Sequence, residues 1–213
     1  MAKEILIKVC GMREPENIAG LVKLPINYIG HIFYEKSPRY VSEVIDLPIP
    51  KTIKRTGVFV NADRATIKQT ILDQQLEAVQ LHGNESVALC QEIKDLGVEL
   101  IKAFGVDDDF QWNELEAYLA AVDYFLFDSK SEAYGGTGKT FNWDKLKTYP
   151  YAKPYFLSGG LSLENLAEAY QFDDERLIGL DLNSKFEISA GLKDLDKINK
   201  ALKIIEHEQI SSK

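Results

Sequence analysis

Eight apolar runs rich in β-branched and aromatic residues recur along the chain: Ile5–Cys10, Tyr28–Phe33, Thr56–Val60, Ala78–His82, Glu99–Phe104, Asp123–Asp128, Pro154–Ser158 and Leu177–Asp181. They are close to continuously apolar rather than alternating, the pattern of parallel strands covered on both faces. Their ends fall roughly every 25 residues, the length of a strand, a helix and two short loops. The segments between them read as helices. Glu85–Leu96 sets Val87, Leu89, Cys90, Ile93 and Leu96 on or near one face, and Leu195–Ile205 does the same with Leu195, Ile198, Leu202 and Ile205. The segment after the second run is the weakest helix: Ser42–Leu47 is short and is stopped by Pro48 and Pro50. Eight such units without a break in composition predict an α/β fold, a single (β/α)8 TIM barrel spanning residues 1–213. A doubly wound open sheet uses the same local units, but open sheets of that many strands are less common. Residues from about 209 to 213 are expected as a frayed tail.

In a barrel, function gathers at the carboxyl ends of the strands. Here those ends carry Cys10-Gly11, Phe33-Tyr34, Asn61, Gln80, His82-Gly83, Asp128, Ser158-Gly159-Gly160 and Asp181-Leu182-Asn183-Ser184, a polar and glycine-rich set directly after apolar runs. Phe125-Leu126-Phe127-Asp128 is the sharpest case: a buried strand ending in an acid, followed by a loop with Gly135, Gly136 and Gly138 that is free to fold over something small. Gly138-Lys139-Thr140 matches the end of a nucleotide-binding P-loop, but that pattern needs glycine at position 133, where this chain has Ala133. Strand alternation turns Cys10, Lys8 and Leu6 inward and Ile5, Ile7 and Val9 toward the helices. It likewise turns Asp128, Leu126 and Tyr124 inward and Phe125 and Phe127 outward. Lys8 is then buried and must be paired, with inward-facing Asp181 or Asp128 as the partner.

Charge and composition narrow the ligand. The net charge of -8 over 213 residues disfavours a broad nucleic-acid surface, so an anionic ligand has to be held by local donors. Cys10 and Cys90 make no disulfide framework and fit a reducing, cytoplasmic setting. Lys3, Glu4 and Lys8 interrupt the first apolar run, so neither a signal peptide nor a membrane partner is expected. The three histidines show no ligand spacing, and no metal site is expected.

The strand-end motifs, taken in order, resemble phosphoribosylanthranilate isomerase. They are Lys8-Val9-Cys10-Gly11, Gly30 to Tyr34 with Ser37-Pro38-Arg39-Tyr40, Gly57 to Asn61, Val79 to Gly83, Asp128 to Phe141, Leu157-Ser158-Gly159-Gly160-Leu161 with Asn165, and Asp181 to Glu187. The resemblance implies a (β/α)8 barrel of tryptophan biosynthesis. It implies an Amadori rearrangement of N-(5-phosphoribosyl)anthranilate to 1-(2-carboxyphenylamino)-1-deoxyribulose 5-phosphate, with no cofactor. On it, Cys10 is the general base at the C2 proton and Asp128 the general acid at the ring oxygen. Arg39 takes the anthranilate carboxylate, while Gln80, His82 and Asp181 belong to the substrate pocket. The phosphate goes to Gly159 and Gly160 and to the backbone near Asn183 and Ser184. A monomer or a homodimer is compatible with the sequence.

These roles suit the residues. The reaction takes a proton off carbon and puts one onto oxygen, so it needs a base and an acid on different sides of a sugar. The ordinary pKa values, about 8.5 for a thiol and about 3.9 for an aspartate, are in the wrong order for the task. Reversing them takes roughly 6 kcal/mol of environment. Burial raises Asp128, but it raises Cys10 too, so a nearby cation or a minor protonation state has to supply the thiolate. Glycines at 159 and 160 let backbone N–H groups approach an anion, and a short helix starting near Ser184 adds its positive end. Arg39 offers a planar fork for a carboxylate. Departures from the family pattern are His31 for a large apolar residue, Lys185 for a glycine in the phosphate turn and Ala190 for a proline before Gly191. Two other readings remain. A sugar-phosphate epimerase or related barrel synthase would want different groups; the indole-glycerol-phosphate synthase type would carry a Lys and Glu pair instead of Cys10 and Asp128. A non-catalytic phosphometabolite-binding domain needs no acid–base pair.

Overall fold

The computed structural model describes residues 4–130 and 140–211. The loop glycines Gly135, Gly136 and Gly138, expected as a cover, lie outside the described residues, as do Ser212 and Lys213. Eight parallel strands close on themselves: β1 (Leu6–Cys10), β2 (Tyr28–Ile32), β3 (Lys54–Phe59), β4 (Ala78–Leu81), β5 (Glu99–Val106), β6 (Tyr124–Ser129), β7 (Tyr155–Leu157) and β8 (Leu177–Leu182). β8 pairs in parallel with β1, which excludes the open sheet. Side-chain alternation sorts the strands as the period of two requires. Ile5, Ile7, Val9, Phe125 and Phe127 join the large outer core beneath the helices, while Leu6, Tyr124 and Leu126 pack with Tyr28, Ala78, Ile101, Ala103 and Phe156 inside the ring.

The outer layer is less regular than the strands. α1 (Pro15–Leu21), α2 (Arg64–Gln74), α3 (Val87–Lys94), α4 (Leu166–Gln171) and α5 (Leu195–Ser211) are α-helical, whereas Trp112–Tyr118 and Trp143–Thr148 form 3-10 turns. Asp63 caps α2 by accepting from Thr66 N, and Ser86 caps α3 by accepting from Leu89 N. α5 continues through Ser211, so Gln209, Ile210 and Ser211 are helical and not tail. The second unit has no helix over Ser42–Leu47. There the buried Arg55 guanidinium takes the place of a helix, donating to the carbonyls of Ile45 at 3.1 Å, Gln74 at 2.9 Å and Leu47 at 2.7 Å. Two of these acceptors belong to the segment and the third ends α2, so one guanidinium ties the non-helical stretch to the neighbouring helix.

Aromatic packing behind β6 sets the direction of the acid near its end. Phe127, on the outer face, is wedged among Trp112, Tyr149 and Tyr155 at ring-centroid distances of 5.3, 5.3 and 4.9 Å. The contacts with Trp112 and Tyr149 are edge-on, and such contacts hold ring orientation as well as burying area. Phe127 is thereby anchored outward, which turns the next side chain, Asp128, inward at the carboxyl end of the ring.

Candidate active site

A cavity of about 270 Å³ opens at the carboxyl ends of the strands, and Cys10, Arg39, Gln80, His82, Asp128, Ser158, Asp181 and Asn183 all contribute to its wall. Cys10 ends β1 and Asp128 lies near the end of β6, with β7 and β8 between them on the shorter way round. A thiol and a carboxyl group therefore face one enclosed space from different sides. A larger, more open groove of about 600 Å³ lies elsewhere, between the Trp143–Thr148 turn and α4, and holds none of these groups.

Cys10 is 2% exposed and points into the ring because Gly30 makes room for it: a Cβ at Gly30 would lie 2.8 Å from the Cys10 sulfur. Burial pushes the thiol up, against the pull of Lys8 and Lys193 and with the repulsion of Asp181. Lys8, two residues earlier on the same inner face, is fully buried. Its Nζ donates to both Asp181 oxygens at 3.0 Å. Direct register across β1 and β8 sets Lys8 opposite Asp181, which settles the expected choice between Asp181 and Asp128. Burial opposes the Lys8 charge, but Asp181 and then Cys10 hold its pKa above the ordinary value.

Asp128 is 7% exposed, and its Oδ1 accepts the Ser129 N–H at 2.7 Å. Burial pushes this carboxyl up to about 7; the Ser129 N–H and Lys8 pull down, and Asp181 adds to the rise. An acid so tuned still carries its proton in a large share of molecules at neutral pH. Gly159 closes the wall behind it. Its φ of +83° suits glycine, and a Cβ there would come within 2.7 Å of Asp128 Oδ1. His82 Nε2 stands 3.6 Å from Asp128 Oδ2. Burial, Lys102 and Lys8 lower the His82 pKa to about 3, so the ring is neutral beside the acid and the contact is not an ion pair. Gln80 Nε2 lies 3.1 Å from His82 Nδ1, while Gln80 Oε1 is buried without a partner.

Arg39 differs from expectation in one respect: its fork is already engaged. Nε and Nη2 bind Glu187 at 2.9 and 2.7 Å, a bidentate pair of the strong type. Lys193 shares that carboxylate, with Nζ 2.6 Å from Glu187 Oε1 and 2.9 Å from Asn183 Oδ1. Sequence reading missed Glu187 and Lys193 as site members, and the short hairpin of β9 (Glu187–Ser189) and β10 (Leu192–Lys193) delivers both. The only available signal was the place of Glu187 at the end of the last strand-end motif, where it had no role. Gly159 and Gly160 follow β7, and Asn183 and Ser184 follow β8, so the expected phosphate residues share one side of the mouth. A 3-10 turn, Ser184–Phe186, starts where the short helix is expected; Lys185 is solvent-exposed in it. His31 faces the outer layer as expected, its Nδ1 2.9 Å from the Met12 carbonyl, and burial lowers its pKa to about 4.

Fold and cavity together define a (β/α)8 barrel with a thiol and a carboxyl group lining one pocket at the carboxyl ends of its strands. The family model described as PRAI, N-(5'phosphoribosyl)anthranilate (PRA) isomerase, matches residues 7–204. The chain belongs to this family. It is 41% identical to the N-(5'-phosphoribosyl)anthranilate isomerase of Parabacteroides distasonis over 98% of this chain and 96% of that one. Among solved structures, the phosphoribosyl anthranilate isomerase of Thermotoga maritima superposes with a TM-score of 0.78 at 34% identity, covering 95% of this chain and 99% of that one. A further isomerase structure, in complex with reduced 1-(o-carboxyphenylamino)-1-deoxyribulose 5-phosphate, is 31% identical with a TM-score of 0.76, covering 95% and 99%.

Proposed function

We propose that this chain catalyses the Amadori rearrangement of N-(5-phosphoribosyl)anthranilate to 1-(2-carboxyphenylamino)-1-deoxyribulose 5-phosphate, a step of tryptophan biosynthesis. Family membership along nearly the whole chain supports the reaction, as does the reduced product analogue held by a relative. The observation that carries the residue roles is the shared cavity, with Cys10 and Asp128 facing it from separate strands. Asp128, kept partly protonated by burial, gives its proton to the ribose ring oxygen and the ring opens. Cys10, as thiolate, then takes the C2 proton, and the resulting enolamine becomes the ketose by gaining a proton at C1 and losing the one on its C2 hydroxyl. Arg39 meets the anthranilate carboxylate, and the Glu187 pairing holds its guanidinium at the cavity wall for that contact. Gln80, His82 and Asp181 line the sugar. The backbone at Gly159, Gly160, Asn183 and Ser184 receives the phosphate.

The substrate is a small phosphorylated molecule; the enzyme needs no nucleic acid, membrane or cofactor and works in the cytoplasm as a monomer or homodimer. Among the described residues no helix is long and apolar enough to cross a membrane. The test is to incubate purified protein with phosphoribosylanthranilate and follow the decay of its fluorescence. Cys10→Ala and Asp128→Ala are each expected to cut kcat by on the order of 10²–10⁴ with the fold intact. Wild-type turnover in either variant removes that residue from the mechanism, and no decay with wild-type protein removes the activity.

A further inference from the structure

Between the thiol and the carboxyl group lies a charged pair that the proton transfers themselves do not consume. Lys8 sits two residues below Cys10 on the same face of β1, fully buried, and does not reach the cavity. Asp181, its register partner on β8, does reach the cavity and shares that wall with Asp128. The pair is neutral as a whole, so it adds no net charge to the buried site, yet it is polarised along a definite direction. We infer that Lys8 and Asp181 are positioning residues that act as an oriented dipole, cation toward Cys10 and anion toward Asp128, holding the sulfur toward thiolate and the carboxyl toward its neutral acid. This inference rests on the acid–base reading of Cys10 and Asp128.

The physical requirement is unusual. A single cation placed in the cavity would favour the thiolate but would also ionise the acid. A single anion would keep the acid protonated but would also keep the thiol protonated. A dipole with its two ends facing different groups favours the active state of both. The neighbours obey this rule. At Cys10, whose charged neighbours are Lys8 on its own strand, Asp181 on β8 and Lys193 on β10, the pull of Lys8 exceeds the push of Asp181. At Asp128, which faces Asp181, Lys8, the neutral His82 and the Ser129 N–H, the push of Asp181 exceeds the pull of Lys8. In a low-dielectric interior such differences are weakly screened.

The test reads Cys10 directly. Full-length protein is treated with iodoacetamide across a pH series, and peptide mapping reports Cys10 separately from the buried Cys90. Lys8→Met is expected to move the Cys10 alkylation profile to higher pH by about 1–3 units, and Asp181→Asn to move it to lower pH. The turnover profile is expected to follow, with the limb assigned to the thiol moving in the same direction as the alkylation curve. Where Lys8→Met strands the buried Asp181 charge and fails to fold, the double variant Lys8→Met/Asp181→Asn is uncharged and supplies the result. Its alkylation profile is expected above that of the wild type, because Lys8 outweighs Asp181 at the sulfur. A double-variant profile coincident with the wild type overturns the inference, as does movement of both single variants in one direction. Failure of the catalytic reading looks different: Cys10→Ala would keep turnover while the alkylation shifts remained.

Discussion

Two buried lysine–carboxylate pairs in this barrel have similar separations and different hydrogen-bond partners. Lys8 meets Asp181 at 3.0 Å inside the ring, and Lys102 meets Glu85 at 3.2 Å in the layer outside it. The outer pair is spent on backbone. Glu85 accepts the N–H groups of Asn61 at 2.8 Å and Gly83 at 2.9 Å, and Lys102 donates to the carbonyls of Gly83, Ala103 and Leu81. It staples the loops after β3 and β4 to β5. Each pair has a thiol beside it, Cys10 for the inner and Cys90 for the outer, but only Cys10 and Asp181 of these groups line the cavity at the strand ends. Burial and pairing alone therefore say little about what an ion pair is for; its place relative to the cavity separates the two. Glu85 is saturated by backbone donors and holds loops in place, whereas Asp181 keeps an edge on the cavity that Cys10 and Asp128 share.

The largest effect expected from breaking this contrast is on the outer side. Glu85→Gln removes one charge of a buried pair and should cost about 3–5 kcal/mol of stability in urea denaturation. The pH profile of kcat per folded molecule should keep its shape, since no proton-transfer group touches Glu85. A shifted profile would show that the two pairs are coupled through His82, which feels Lys102.

Next in size is a pH-dependent stability effect at Asp128. Its folded pKa, about 7, lies above the ordinary value of 3.8. Between those values the native state binds more protons than the unfolded chain, so stability falls as pH rises through that window. The loss amounts to at most about 1.4 kcal/mol per pH unit. Asp128→Asn removes this slope: relative to wild type the variant should gain little near pH 4 and most at pH 8, measured by thermal denaturation at both. An equal change at the two pH values would mean that the carboxyl is not strained by burial.

The smallest expected effect sharpens a third case, Glu187, whose carboxylate is shared by Arg39 and Lys193. Arg39→Lys keeps the charge but loses the planar fork, so KM should rise about tenfold, about 1.4 kcal/mol, with kcat nearly unchanged. A fall in kcat at constant KM would place Arg39 in the chemistry instead of in binding.

Much of the site was legible before any coordinates. Continuous apolar runs and their spacing identify the strands, and a period of two is enough to send Lys8 and Cys10, or Leu126 and Asp128, inward. The outer layer was less legible, because its local signals are weaker and neighbours replace them. Over Ser42–Leu47 the short helical pattern yields to Arg55, which reaches two of the segment's carbonyls and one at the end of α2 from a neighbouring strand. The occupied fork of Arg39 was invisible for a related reason: its partner Glu187 lies 148 positions away, on a hairpin too short to announce itself.

By itself the amino-acid order determined which residues become strands, which face each presents, and that an acid and a thiol stand at strand ends, because these follow from local periodicity. Only closure of the ring decided who meets whom. It brought β8 alongside β1 and set Lys8 against Asp181 across 173 positions of chain. Register between distant strands is a sum over many inter-strand hydrogen bonds and packed side chains, and no local stretch contains it. The charge environment of Cys10 and Asp128 is a property of that register.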